Sequence, residues 1–101
     1  GGPPLAMLEW FDYTSESYQL APGDAIVIYT DGIPEAMDPE GVMFGHDRLH
    51  ALLSSMRGAA PEVMLERILA AIAAHTRGAA RSDDITIVIV QRQPEHERRS
   101  P

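Results

Sequence analysis

The sequence predicts a mixed α/β (α+β) fold, in which a sheet of apolar strands is covered by two amphipathic helices. Two strand segments are apolar on both faces, which is typical of strands in the middle of a sheet. Two later segments repeat apolar residues at helical spacing. Because two helices cover only one face of a sheet, we expect the chain to form half of an α/β sandwich.

Four segments are candidates for strands. Leu5–Tyr13 and Ser15–Leu20 come first. They are followed by Ala25–Tyr29 and Ile85–Gln91, which are apolar on both faces. Pro22-Gly23 has the pattern of a type II turn, since proline presets φ at the second position and glycine accepts a positive φ at the third. This turn predicts an antiparallel hairpin that pairs Ser15–Leu20 with Ala25–Tyr29.

Two helices are predicted, at His46–Met56 and Pro61–Arg77, which gives the element order β-β-β-α-α-β. Pro61 suits a first helical position, and Gly78 can cap the end of the second helix. We expect residues 1–92 to form one unit and the polar residues 93–101 to form a flexible tail. The predicted buried stripes are Leu49, Leu52, Leu53 and Met56 in the first helix, and Leu65, Ile68, Leu69 and Ile72 in the second.

Composition excludes several classes of function. The 101 residues suffice for one domain or part of one, and the absence of cysteine excludes disulfides, thiolate zinc sites and cysteine nucleophiles. A net charge of −7, from 15 acids against 8 arginines, argues against nucleic-acid binding. No apolar run is long enough for a membrane span, and the start has no basic signal-peptide region, so we expect a cytoplasmic protein.

Carboxylates stand at the tips of both apolar strands. Asp31 follows the first strand and is itself followed by Gly32, and Asp83-Asp84 immediately precedes the second. If these strands are antiparallel neighbours, the carboxylates converge, and a hard cation such as Mg²⁺ or Mn²⁺ relieves their repulsion. Gly32 would let the backbone approach the ion closely. The alternative stays open that Asp31 is a turn former and Asp83 a strand-start residue.

Several motifs resemble one protein family. Tyr29-Thr30-Asp31-Gly32-Ile33, with Glu35-Ala36 after it, resembles the YTDG(V/I)xEA segment of SpoIIE/RsbU-type phosphatases, which are metal-dependent PPM (PP2C-like) serine/threonine phosphatases. Ser82-Asp83-Asp84-Ile85-Thr86 resembles the family's final D-D-x-T motif. The resemblance covers about residues 1–92 and also includes Leu20–Asp24, Asp38–Gly41, Phe44-Gly45 and Arg48-Leu49.

The resemblance implies a fold and a set of metal ligands. The fold would be part of a PP2C-like α-β-β-α sandwich with mainly antiparallel strands. Asp31 and Asp83 would be the catalytic metal ligands, with Gly32 beside the metal and Asp84 supporting the ligands. The family's remaining acidic ligand lies in the N-terminal half of its domain, so the chain resembles the C-terminal half. Two Mn²⁺ or Mg²⁺ ions are expected in the complete domain.

The resemblance also implies a reaction. A metal-bound hydroxide would hydrolyse phosphoserine or phosphothreonine on a signalling protein, by resemblance an anti-sigma-factor antagonist of bacterial partner switching. We expect the missing N-terminal half of the domain to be a partner of this chain and the fragment alone to be inactive. A half-sandwich with an uncovered apolar face can also dimerise.

A second hypothesis is a non-catalytic pseudo-phosphatase module that binds a partner protein. The opening Gly1-Gly2 differs from the family's A-G-H, which keeps this hypothesis open. Glu35, Asp38 and Glu40 are candidates for a substrate or partner surface, and a solvated acidic loop is the equal alternative. His46 and His50 have the i, i+4 spacing of a zinc-protease helix, but without a clear third ligand we favour two histidines at the solvent edge.

Overall fold

A computed structural model describes residues 5–9, 19–79 and 85–93. This mixed arrangement of strands and helices confirms the predicted fold class. The predicted strand at Ser15–Leu20 falls mostly outside the described residues, and its last two residues are not in a strand. In chain order, the described elements are β1 (Leu5–Glu9), β2 (Ala25–Tyr29), α1 (His46–Ser54), α2 (Pro61–Thr76) and β3 (Ile87–Gln91).

The described strands form one sheet in the order β1-β2-β3, in which β2 runs parallel to β1 and antiparallel to β3. Both edges of β2 are therefore occupied along its whole length, and the predicted hairpin of β2 with Ser15–Leu20 is wrong. The turn itself is present, with Gly23 at φ 89°. It closes against the end of β3, because Gly23 donates to the carbonyl of Arg92 at 2.9 Å and Arg92 donates to that of Asp24 at 3.0 Å.

The core lies between one face of the sheet and the two helices. Val27 and Tyr29 of β2 belong to the same buried cluster as Leu49 and Leu53 of α1. The predicted stripe of α1 is confirmed, although the helix ends at Ser54 and the buried Met56 follows in a turn. Burying apolar side chains of this size stabilises the fold by about 1.5–3 kcal/mol each.

The buried stripe predicted for α2 is half wrong. Leu65 and Leu69 are 40% and 45% exposed. Residues four apart lie almost in line along a helix, and here one such line faces the core, so the leucines beside it face outward. The helix ends at Thr76, since Arg77 has left-handed backbone angles of φ 46° and ψ 43°. The buried residues of α2 are Met64, Ile68, Ile72 and Thr76.

The opposite face of the sheet is apolar as well. Ile26 and Ile28 of β2 are buried, whereas the neighbouring Val88 and Val90 of β3 are 38% and 43% exposed. The two strands therefore differ in burial, although the sequence of each is apolar on both faces. Among the described residues, no helix is both long and apolar enough to span a bilayer.

Candidate metal centre at the end of the central strand

Asp31 lies just beyond the end of β2, at the surface. All five residues of β2 are buried, and the chain emerges through the half-buried Thr30 to the exposed Asp31. It then turns sharply, because Ile33 donates to the carbonyl of Thr30 at 3.2 Å and Glu35 to that of Asp31 at 3.0 Å. A buried strand that ends in a tight turn thus presents one carboxylate at its tip.

Gly32 is buried directly after Asp31, followed by the fully buried Ile33 and Pro34. Gly32 is not one of the glycines with a positive φ. Its small size, rather than an unusual backbone conformation, is therefore what this position offers to a close neighbour.

Thr30 links the end of β2 to the segment that leads into β3. Its N–H donates to the carbonyl of Thr86 at 3.1 Å, and the N–H of Thr86 donates to Thr30 Oγ1 at 3.1 Å. The strands are antiparallel here, with Tyr29 opposite Ile87. The condition for the carboxylates to converge was that the two strands are antiparallel neighbours, and this condition is met. The residue before Asp31 pairs with Thr86, which is two positions after Asp84.

The carboxylates of Asp83 and Asp84 lie outside the described residues, so their assignment as ligands stays a prediction. Within the described ranges, the Asp31 carboxylate makes no hydrogen bond or ion pair. No group of three His, Cys, Asp or Glu side chains that could hold a metal occurs in that part of the chain. The described residues thus contribute one uncommitted carboxylate to the candidate site.

Asp38 uses its carboxylate differently. Its Oδ1 accepts the N–H of Glu40 at 2.8 Å and that of Val42 at 2.9 Å. The Val42 hydrogen bond is the main cause that holds the pKa of Asp38 below its ordinary 3.8; desolvation opposes it, and the Glu40 hydrogen bond, His75 when protonated, and Arg77 lower it further. Asp38 therefore shapes the turn, whereas Glu35 and Glu40 are exposed.

The segment after Asp31 is folded back on itself rather than extended into solvent. The N–H of Phe44 donates to the carbonyl of Ala36 at 2.8 Å, and the backbones of Met37 and Met43 form an isolated antiparallel β-bridge. His75 links this segment to α2, because its Nε2 lies 2.8 Å from the carbonyl oxygen of Val42. Sequence reasoning missed this role of His75, since a contact across 33 residues leaves no periodic signal.

His46 and His50 are exposed on α1, with ring centroids 6.3 Å apart and edge to face. The described residues supply no cluster in which they join a third metal ligand. The exposure of both side chains agrees with the interpretation of two histidines at the solvent edge.

Comparison with known proteins identifies the family. The family model for Stage II sporulation protein E (SpoIIE) matches residues 1–93. The chain belongs to the SpoIIE family of PP2C-like phosphatases. The resemblance inferred from the strand-end motifs is thereby confirmed, and PP2C-like phosphatases generally use divalent metals.

A curated relative of this SpoIIE-family chain agrees with the match. Protein IcfG of Synechocystis sp. (strain ATCC 27184 / PCC 6803 / Kazusa) is 33% identical over 91 residues, which is 90% of this chain. The chain spans only 14% of the length of IcfG. No solved structure gives a significant match.

Proposed function

We propose that this chain is part of a metal-dependent phosphatase that hydrolyses phosphoserine or phosphothreonine on a signalling protein. The observation that carries the proposal is the pair of hydrogen bonds between Thr30 and Thr86, at the sheet end where Asp31 emerges. Family membership supports phosphatase chemistry in general.

Chain length restricts where the second proposed ligand can lie. Asp83 is three residues before Thr86, and three residues span at most about 11 Å. Thr86 is hydrogen-bonded to Thr30, beside the end of β2 that bears Asp31. This proximity of the two chain segments supports the proposal that Asp31 and Asp83 share a cation.

The donor chemistry fits Mn²⁺ or Mg²⁺. Both ions take oxygen ligands, and the exposed Asp31 carboxylate has no partner among the described residues. Asp31 and Asp83 would hold the metal, Gly32 would leave room beside it, and Asp84 would orient the ligands. When bound, such ions lower the pKa of water and neutralise charge on a phosphoryl group.

The rest of the domain belongs to the proposal. We infer that an N-terminal half supplies a further acidic ligand and a second ion, and that it covers the sheet face on which Val88 and Val90 are exposed. An exposed apolar face of this kind marks an interaction surface. The proposed substrate is a phosphorylated anti-sigma-factor antagonist, which rests on the family resemblance alone.

The second candidate is a pseudo-phosphatase module that binds a partner protein without catalysis. The opening Gly1-Gly2, which differs from the family's A-G-H, keeps this candidate open. The presence of both Asp31 and Asp83 favours the enzyme, since a decayed site has no reason to keep both aspartates.

The test uses the chain extended N-terminally by about 100 residues of its natural protein, a domain-sized addition. We expect Mn²⁺-dependent hydrolysis of a phosphoserine peptide, and its loss in Asp31→Asn and Asp83→Asn. Glu66→Gln removes an exposed acid from the middle of α2 and serves as the matched control, with activity unchanged. A folded extended protein without Mn²⁺-dependent activity would overturn the enzyme proposal in favour of the binding module.

A further inference from the structure

A cavity of about 460 Å³ lies between residues 36–45 and the C-terminal end of α2. Its volume falls within the usual range of ligand pockets, about 300–1,000 Å³. We call it the Arg48–Arg77 groove. It is lined by the apolar Phe44, Ala71 and Ala74 and by the cationic Arg48 and Arg77.

Arg48 is held in place before any ligand binds. Its guanidinium carbon lies 5.1 Å from the ring centroid of Phe44, and its Nη1 donates to His75 Nδ1 at 3.2 Å. A guanidinium only donates, so Nδ1 must accept, and His75 carries its proton on Nε2, which donates to the carbonyl of Val42. A guanidinium has five N–H donors, so Arg48 keeps donors for a ligand.

Arg77 also lines the groove, in a backbone conformation that arginine rarely adopts. Its φ of 46° lies in the left-handed region, where the Cβ of an L-residue is crowded. A glycine would sit there without this strain, and Gly78, with φ 85°, follows immediately. Strain kept at a groove edge points to a use for the side chain.

The groove keeps positive charge in an acidic chain. Among the described residues, neither Arg48 nor Arg77 forms an ion pair with a carboxylate. Asp38 also lines the groove, but its Oδ1 accepts two backbone N–H groups within its own turn. Two guanidinium groups therefore face one carboxylate, whereas the whole chain carries a net charge of −7.

We propose that the Arg48–Arg77 groove docks an acidic segment of a partner protein. Carboxylates of the segment contact Arg48 and Arg77, and an apolar side chain of the segment covers the Phe44 ring. Charge complementarity selects this occupant, because guanidinium groups bind carboxylates in paired hydrogen bonds. None of these residues is a proposed metal ligand, so the docking site does not depend on the phosphatase proposal.

The test is an NMR titration of the ¹⁵N-labelled, N-terminally extended protein with the capped peptide Glu-Glu-Leu-Glu-Glu. We expect saturable shifts of the amides of Arg48, His75 and Arg77, and binding that weakens as salt rises. The neutral peptide Gln-Gln-Leu-Gln-Gln should bind at least about tenfold more weakly. Equal binding of both peptides, no saturable shift, or the same shifts with inorganic phosphate at equal affinity would each overturn the proposal.

Variants separate the charge from the fold. Arg77→Gly removes the guanidinium and relieves the positive φ, so we expect weaker peptide binding, by about fivefold or more, while the amide spectrum of the variant remains that of the folded protein. Arg48→Gln should weaken binding to a similar extent. Arg67→Gln removes an exposed arginine elsewhere on α2 and should leave binding unchanged. If Arg67→Gln weakened peptide binding as much as Arg77→Gly does, the attraction would be non-specific, which would contradict a docking site.

Discussion

Asp31 and Asp38 are seven positions apart in one loop, and the structure uses them in opposite ways. The carboxylate of Asp31 is exposed and makes no hydrogen bond among the described residues. The carboxylate of Asp38 accepts two backbone N–H groups and holds a turn. An acidic loop therefore does not mark a site by its charge alone. Asp31, whose carboxylate accepts no backbone N–H among the described residues, remains available for chemistry, whereas Asp38 does not.

The largest expected effect is on the activity of the extended protein. Asp31→Asn should lower Mn²⁺-dependent hydrolysis by about 100-fold or more, because a metal ligand is lost. Its thermal unfolding midpoint without Mn²⁺ should stay unchanged, since the fold does not use this side chain. Phosphatase assays and thermal melts of the same samples check both. An Asp31→Asn protein that melts earlier but keeps its activity would reverse the roles assigned to the two aspartates.

Thr30 tests whether the link to Thr86 positions Asp31. Thr30→Val keeps the shape but removes Oγ1, so the N–H of Thr86 loses its acceptor. We expect a loss of about 1 kcal/mol in the free energy of unfolding, and an activity lowered by about tenfold.

Thr30→Ser retains the hydroxyl and serves as the matched control. Its free energy of unfolding and its phosphatase activity, measured by chemical denaturation and by assay, should be close to those of the wild type. If Thr30→Ser loses as much activity as Thr30→Val, the hydroxyl is not what positions Asp31.

The β2 end of the sheet shows how far sequence reasoning reaches. The apolar run Ala25–Tyr29 and the motif after it predicted a buried strand with Asp31 at its tip, because strand burial and turn chemistry are local. The antiparallel approach of β3 was a conditional premise that the register confirmed. The hairpin with Ser15–Leu20 was wrong, because a turn fixes a reversal of the chain but not which segment pairs with the next strand.

Long-range contacts account for the other differences between the predicted and the observed structure. Leu65 and Leu69 fit a helical stripe, but the line through Ile68 faces the core, and that choice depends on how α2 sits on the sheet. His75 joins Arg48 across 27 residues, a contact with no trace in the sequence. Periodicity gives candidate faces, and the tertiary fold selects among them.

Asp38 should matter for stability and little for catalysis. Asp38→Ala removes the acceptor for the N–H groups of Glu40 and Val42, so the unfolding midpoint should fall while Mn²⁺-dependent activity is largely retained. Asp38→Asn keeps an accepting oxygen, so its unfolding midpoint should lie between those of the wild type and Asp38→Ala. Thermal melts and assays of the extended protein check this order. Loss of activity in Asp38→Asn without a change of midpoint would assign Asp38 to the site instead.

At acidic pH, Asp38 should no longer contribute to the free energy of unfolding. Its pKa is lowered in the folded state, so the unfolded state takes up protons first. The stabilisation is fully present above the ordinary value of 3.8 and is lost as the pH falls through the lowered pKa. The difference in unfolding free energy between wild type and Asp38→Asn should therefore shrink from about pH 6 to about pH 3. Denaturant titrations at both values measure it, and a difference that grows in acid would contradict the assigned cause.

The smallest effect is expected at Arg77. Arg77→Gly relieves the left-handed strain but frees the unfolded chain, so the free energy of unfolding should rise by at most about 1 kcal/mol. Arg77→Ala keeps the strain without the charge and should show no gain. Denaturant titration compares them, and a stability loss in Arg77→Gly would mean that the guanidinium itself supports the fold.

Paramagnetic Mn²⁺ tests the central claim most directly. In ¹⁵N spectra of the extended protein, substoichiometric Mn²⁺ should broaden the amides of Asp31, Gly32 and Thr86 first, because broadening falls steeply with distance from the ion. Asp83→Asn should abolish this selectivity. Broadening that is strongest around Asp38 and Glu40, or that persists in Asp83→Asn, would contradict a metal centre formed where β2 ends and the chain enters β3.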